Sequence, residues 1–132
     1  SEHCDIAIDI DHFKNINDTF GHDAGDDALV SLGSLLRQAC RPTDIVSRFG
    51  GEEFIVILTH TGLADGMMTA ERIRLTVSTA HFPGAGKMTI SAGVAVFIGN
   101  ESAREDGLSR ADEALYQAKR AGRNRVSVND AD

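Results

Sequence analysis

Arg48-Phe49-Gly50-Gly51-Glu52-Glu53-Phe54 is the stretch whose reading decides the fold. Apolar, β-prone segments flank its Gly-Gly pair, Ile45-Val46 before and Phe54-Ile55-Val56-Ile57-Leu58 after. Such a pattern predicts a β-hairpin from Ile45 to Leu58 with its turn at the glycines. Two carboxylates, Glu52 and Glu53, stand directly after the turn. Adjacent glutamates repel and contribute nothing to a core. A bound cation or a catalytic task explains them; exposed turn residues that aid solubility are the ordinary alternative. The second strand is hydrophobic along both faces from Phe54 onward, which predicts a central position in a sheet. Gly50 and Gly51, without side chains, let a ligand approach the backbone closely.

Working outward, Cys4 to Ile10 alternates, with Ile6, Ile8 and Ile10 on one face and Asp5, Ala7 and Asp9 on the other. That predicts a half-buried strand. His12 to Phe20 predicts a short helix ended by Gly21, with Phe13, Ile16 and Phe20 as its core side. Ala24 to Cys40 carries Leu29, Leu32, Leu36 and Ala39 at helical spacing, and Pro42 stops it. Leu63 to Ala80 shows a stripe of Met67, Ala70, Ile73 and Val77. Met88 to Ile98 reads as a strand. Ser102 and Glu105 predict a capping box for a helix carrying Leu108, Ala111, Leu115 and Ala118, with Gly122 as its C-terminal cap. Arg125 to Val128 is a last short strand. The order β-α-α-β-β-α-β-α-β predicts an α/β (α+β) fold, a central mixed sheet with helices packed on it.

The chain has 132 residues, enough for one domain with a real core. Its formal net charge of -7 makes it a poor non-specific binder of nucleic acid. No apolar run is long enough to span a membrane. Cys4 and Cys40 read as buried or free thiols in a reducing cytosol. A strand beginning almost at Ser1 suggests an excised domain.

Several further blocks accompany the hairpin. They are Asp9-Ile10-Asp11-His12-Phe13-Lys14-Asn15-Ile16-Asn17-Asp18, Phe20-Gly21-His22-Asp23-Ala24-Gly25-Asp26, Thr89-Ile90-Ser91-Ala92-Gly93-Val94-Ala95, Ala111-Asp112-Glu113-Ala114-Leu115-Tyr116-Gln117-Ala118-Lys119-Arg120 and Gly122-Arg123-Asn124-Arg125-Val126. In this order they resemble the GGDEF family of diguanylate cyclases, in its GGEEF form, over residues 1–132. In that family a helix and an Asp-x-Leu-Thr segment precede this point; neither is in this sequence. The resemblance implies a palm-like sheet related to nucleotide cyclases. It implies condensation of two GTP to cyclic di-GMP with release of two pyrophosphates. It also implies Mg2+ or Mn2+, two ions per half-site, and an antiparallel homodimer in the cytoplasm.

Residue by residue, the resemblance makes Asp9, the Ile10 carbonyl, Glu52 and Glu53 metal ligands. Magnesium prefers hard oxygen ligands and takes one or two carboxylates plus phosphate and water. Read alone, Asp9 is better explained as a cap of the next helix; the glutamates and the family blocks turn the reading to a metal. Glu52 is the family's candidate base, with Glu53 beside the metals; the sequence does not say which takes the proton. Asn17 and Asp26, nine residues apart around a glycine, are implied to select guanine. An aspartate accepts from N1-H and N2-H₂, and an asparagine both gives and accepts. Their plain alternatives are a surface polar residue and a charge at a helix N-terminus. His22, Phe13, Gly50 and Gly51 are further implied substrate contacts, and His22 reads equally as pinning a turn. Lys14, Lys119 and Arg123 are implied on the triphosphate, where transfer needs charge stabilisation more than covalent help.

Five residues separate Arg41-Pro42-Thr43-Asp44 from Gly50. That position matches the family's inhibitory RxxD site for the cyclic product, and Arg72 matches a secondary arginine of that site. A helix-end cation with a turn aspartate is the alternative. The rival function is a catalytically silent receptor for GTP or cyclic di-GMP; a third is a palm-fold cyclase acting on another nucleotide.

Overall fold

The isoleucine alternation near the N-terminus forms β1 (Glu2–Ile10), the middle strand of a five-stranded sheet. The computed structural model describes residues 2–129. After β1 come α1 (Phe13–Phe20), α2 (His22–Ala39), β2 (Ile45–Arg48), β3 (Glu53–Leu58), α3 (Leu63–Thr79), β4 (Ile90–Ile98), α4 (Glu101–Arg120) and β5 (Arg125–Val128). The strand order is β2-β3-β1-β4-β5. β1 runs antiparallel to both β3 and β4, β2 antiparallel to β3, and β5 parallel to β4. The element order read from the sequence holds throughout, and so does the interior position of β3.

The strand expected to be half-buried is buried on both faces. Ile6, Ile8 and Ile10 pack with Leu29, Leu32 and Leu36 of α2 and Ala70, Ile73 and Val77 of α3. On the opposite face Ala7, Ile55 and Ala95 pack with Ala111 and Leu115 of α4. A strand with small or acidic residues on its second face looks solvent-facing in sequence. Here those small residues let a helix lie close. Gly93, opposite Ala7 in the ladder, shows how close: a Cβ there would overlap the Leu115 nitrogen and the Ala111 carbonyl.

Three local expectations change, and one alternative falls away. Met67 is largely exposed, and Gly66 takes its place in the buried stripe of α3. Phe20 is also exposed, leaving Ile16 as the buried residue of α1. α4 is capped by Asn100, whose side chain accepts from the Ala103 N–H at 3.0 Å. Ser102 therefore falls inside the first turn, because Asn100 is the last extended residue before it. Asp9 caps no helix: the residue before α1 is His12, in a left-handed conformation with no side-chain cap. Gly122 does end α4. Its N–H reaches the Lys119 carbonyl at 3.3 Å and the Arg123 N–H reaches that of Ala118 at 3.0 Å, the paired bonds of a Schellman motif. Cys4 and Cys40 are free thiols. No described helix is long and apolar enough to cross a membrane.

One core residue breaks the apolar pattern. Asp5 is fully buried under α4, and neither carboxylate oxygen has a hydrogen-bond partner. Burial pushes its pKa from 3.8 up to about 7, against the pull of Arg110 and Arg104. A folded-state pKa above the unfolded value means that the folded protein holds a proton which the unfolded chain releases. Asp5 therefore removes stability as pH rises from about 4 to 7. Asp5→Asn is expected to flatten that slope and to raise unfolding free energy at pH 8 by about 2–4 kcal/mol. Urea titrations at pH 4.5 and pH 8 measure both; equal stability of parent and variant at pH 8 would contradict the account.

Candidate active site

The hairpin brings its carboxylates to the end of the central strand through the β1–β3 register. Asp9 lies directly opposite Glu53 on one side and Ser91 on the other. The turn is closed by the Glu53 N–H to the Gly50 carbonyl at 3.1 Å and the Phe49 N–H to the Glu53 carbonyl at 2.7 Å. Gly50 (φ 74°) and Gly51 (φ 43°) both adopt the left-handed region that glycine tolerates. The Arg48 guanidinium pins the turn, donating from Nε (3.0 Å) and Nη2 (2.8 Å) to the Gly51 carbonyl.

The electrostatics at this strand end call for a cation. Asp9 is buried; its Oδ2 accepts from Lys119 Nζ, while its Oδ1 has no partner. Burial raises the pKa of Glu53, and Asp112 and Asp9 push it further against the pull of Lys119. The Asp112 side chain lies against Glu53. Asp112 stands seven residues before Lys119, two turns along the same face of α4, and that spacing was the signal available in the sequence. Glu52 sits in the turn, one residue outside the ladder. The expected carboxylate trio is thus a facing pair with a third at its edge. Among the described residues no three acid, histidine or cysteine side chains lie close enough together to hold an ion by themselves. An orphaned carboxylate oxygen and a glutamate resisting ionisation fit a site completed by a metal with phosphate and water. Ile10 has its side chain in the core, so only its carbonyl is left to contribute.

α1 and the start of α2, on either side of Gly21, carry the residues implied for the base. Asn17 Oδ1 lies against the Gly25 Cα, so closely that a Cβ there would overlap it, with the Phe13 ring on the same spot. The Asn17 carbonyl accepts from the Gly21 N–H at 2.8 Å. His22 and Asp26 are exposed in the first turns of α2. Lys14 is exposed and pairs with Asp18 at 3.4 Å. Of the three implied phosphate cations, Lys119 is the one in contact with the acidic pair. Arg123 stands just past α4 at φ 63°.

Arg41 and Asp44 meet as a bidentate pair at 3.1 and 2.9 Å. Arg41 also donates to the Thr59 carbonyl (2.6 Å) and to Thr61 Oγ1 (3.0 Å). Burial raises the pKa of Asp44, but hydrogen bonds from Arg41 and Thr59 outweigh it and hold the carboxyl below the usual range. Arg72, whose Nη2 reaches the Ala39 carbonyl at 3.2 Å, lines the same cavity of about 530 Å³. The three residues predicted together are together.

A mixed five-stranded sheet with acids at the end of its middle strand, facing a Gly-Gly hairpin, defines a palm-like α+β domain. The chain belongs to the diguanylate cyclase GGDEF-domain family, whose model matches residues 3–125. It is 49% identical over 125 residues to diguanylate cyclase DgcP of Pseudomonas aeruginosa, covering 92% of this chain and 18% of that protein. It is 48% identical over 126 residues to response regulator PleD of Caulobacter vibrioides, covering 92% and 28%. The chain therefore spans less than a third of either relative. Among solved structures, the active GGEEF domain of a diguanylate cyclase from Vibrio cholerae superposes with a TM-score of 0.91 at 37% identity, over 100% of this chain and 85% of that one. The GGDEF domain of DgcB from Caulobacter crescentus, in complex with c-di-GMP, gives 0.88 at 36% identity, over 96% and 77%.

A raised Glu53 pKa has two consequences of known sign. The ionised form is disfavoured in the folded state, so Glu53→Gln is expected to raise the melting temperature at pH 8 relative to parent. A metal needs the carboxylate, so divalent-cation affinity should rise with pH in the parent and lose that dependence in the variant. Thermal melts and Mn2+ titrations across pH 5 to 8 check both.

Proposed function

We propose that this domain is a diguanylate cyclase half-site, joining two GTP into cyclic di-GMP in the cytoplasm. The observation that carries the reading is the Asp9–Glu53 pair, held in ladder register with Lys119 against it. Asn17 and Asp26 take the guanine edge, with His22 and Phe13 beside it. Gly50 and Gly51 leave room for the nucleotide backbone. Lys119 neutralises Asp9 in the free domain and exchanges it for phosphate when GTP arrives; Lys14 and Arg123 hold the remaining charge of the triphosphate.

Asp9, Glu52, Glu53 and the Ile10 carbonyl hold magnesium, which supplies Lewis acidity and neutralises phosphate charge when bound. Two domains meet antiparallel. Each ribose 3′-oxygen attacks the α-phosphorus of the other GTP, its proton passes to Glu52 or Glu53, and pyrophosphate leaves. Because catalysis is positioning and electrostatics, neither domain completes the site alone. The intact acid pair favours an enzyme over a silent receptor.

Incubation with GTP and magnesium, resolved by chromatography, should yield cyclic di-GMP and pyrophosphate, and Glu53→Gln should cut the rate by at least ~10²-fold. ATP should compete poorly, since an adenine edge leaves the Asp26 charge unpaired, a loss of about 1–3 kcal/mol. No product from the parent at high domain concentration would refute the cyclase reading.

The Arg41, Asp44 and Arg72 cavity suits a doubly anionic dinucleotide with guanine edges. Product bound there opposes turnover from a distance, an allosteric coupling. Arg41→Ala should leave the initial rate near that of the parent and abolish inhibition by added cyclic di-GMP; an undiminished inhibition curve would remove this site.

A further inference from the structure

We infer that Asp11 and Arg74 are positioning residues for the phosphate-binding end of α4, holding Arg123 in place through Asn124. The inference rests on the reading of Arg123 as a triphosphate contact. Asp11 lies between β1 and α1, is 6% exposed, and uses its carboxylate on three donors from two other parts of the chain. Oδ1 accepts from Ser91 Oγ at 2.6 Å, and Oδ2 from Thr89 Oγ1 at 2.7 Å and from the Asn124 N–H at 2.9 Å. Its own N–H donates to the Thr89 carbonyl at 3.0 Å. This carboxylate is a junction joining the end of β1, the start of β4 and the α4–β5 turn.

The turn needs such a clamp. Gly122, Arg123 and Asn124 are consecutive residues with φ of 127°, 63° and 48°. Glycine adopts this region freely and asparagine tolerates it; for Arg123 it is strained, and such strain persists only where surrounding contacts over-determine it. The contacts are on both sides. Arg123 N–H is held by the Ala118 carbonyl, Asn124 N–H by Asp11, and Asn124 Oδ1 by Arg74 Nη1 at 2.9 Å. The same helix end fixes Lys119, whose carbonyl receives the Gly122 N–H. Asp11 thus ties the segment bearing Asp9, Lys14 and Asn17 to the segment bearing Lys119 and Arg123, while itself fully engaged with protein donors.

Calorimetry separates positioning from mere stability by comparing a non-hydrolysable GTP analogue with GMP, both in magnesium. Asp11→Ala removes all three acceptor contacts and should weaken the triphosphate by at least about tenfold, with GMP changed by less than about twofold. Asp11→Asn keeps an acceptor toward Thr89 and Asn124, and Ser91 Oγ can accept from the new amide. It should bind within about threefold of the parent. The Asn124 amide should lose hydrogen-exchange protection in Asp11→Ala and keep it in Asp11→Asn. Arg74→Met cuts the other arm without a core change and should cost the triphosphate alone about threefold.

Equal losses on both nucleotides in Asp11→Ala would overturn the inference. So would Asp11→Asn failing as badly as Asp11→Ala, which would mark a charge or metal role. If Asp11→Ala does not fold, an unchanged triphosphate preference in Arg74→Met overturns it. Arg123→Ala, run in parallel, tells the two readings apart. If it leaves the preference for triphosphate intact, the assignment of Arg123 fails and the inference falls with it. If it abolishes the preference while Asp11→Ala does not, the assignment stands and the positioning role fails.

Discussion

The pairing of β1 with β3 is the constraint on which the rest of the molecule depends. Side chains alternate along a strand, so a slip of one residue would turn Asp9 into the core and Ile8 toward α4. Burial of β1 on both faces forbids that slip. The isoleucines need α2 and α3, and Ala7 needs the close approach of α4. The energy of an ordinary hydrophobic core thereby fixes two carboxylates face to face at a strand end, a placement that their own repulsion opposes.

α4 is the second half of that arrangement. Its underside covers the sheet, and its last turns carry Asp112 and Lys119 to the acidic pair. The helix sits low because Gly93 of β4 and Gly107 of α4 itself put no side chain into the contact: a Cβ at Gly107 would meet Asp5 Oδ2 and the Phe97 side chain. Packing and electrostatics are therefore one problem here. Whatever sets the height of α4 over β1 also sets how Lys119 meets Asp9, and the unpaired carboxylate of Asp5 lies along the same contact.

The Arg41–Asp44 loop shows a different economy. Its charges satisfy one another and tie the loop to Thr59 and Thr61 at the end of β3. A ligand entering the cavity beside Arg72 must replace contacts already made, so binding there is an exchange of hydrogen bonds with modest net energy. The Asp9–Glu53 pair is the opposite case: Lys119 reaches one oxygen of Asp9, the other has no partner, and the neighbours pressed on Glu53 are mostly acids.

Periodicity, turn chemistry and ordered motifs in the sequence determined the element order, the Gly-Gly hairpin, the helix end at Gly122 and the family. Those are local properties, set by φ preferences and by one apolar face per element. The acids at the hairpin and the grouping of Arg41, Asp44 and Arg72 were legible through the ordered motifs of the family, since residue type alone left each with an ordinary alternative. Tertiary structure alone decided that β1 is buried on both sides, that Gly66 and not Met67 faces the core, and that Asn100 caps α4. It alone brought Asp112 to Glu53 and Asp11 to Asn124, residues separated by 59 and 113 positions. Contacts at such separation leave no periodic trace in a single chain. They follow from which faces the folded sheet presses together, and the sign of a carboxylate's environment, paired for Asp44 and bare for Asp5, exists only once those faces have met.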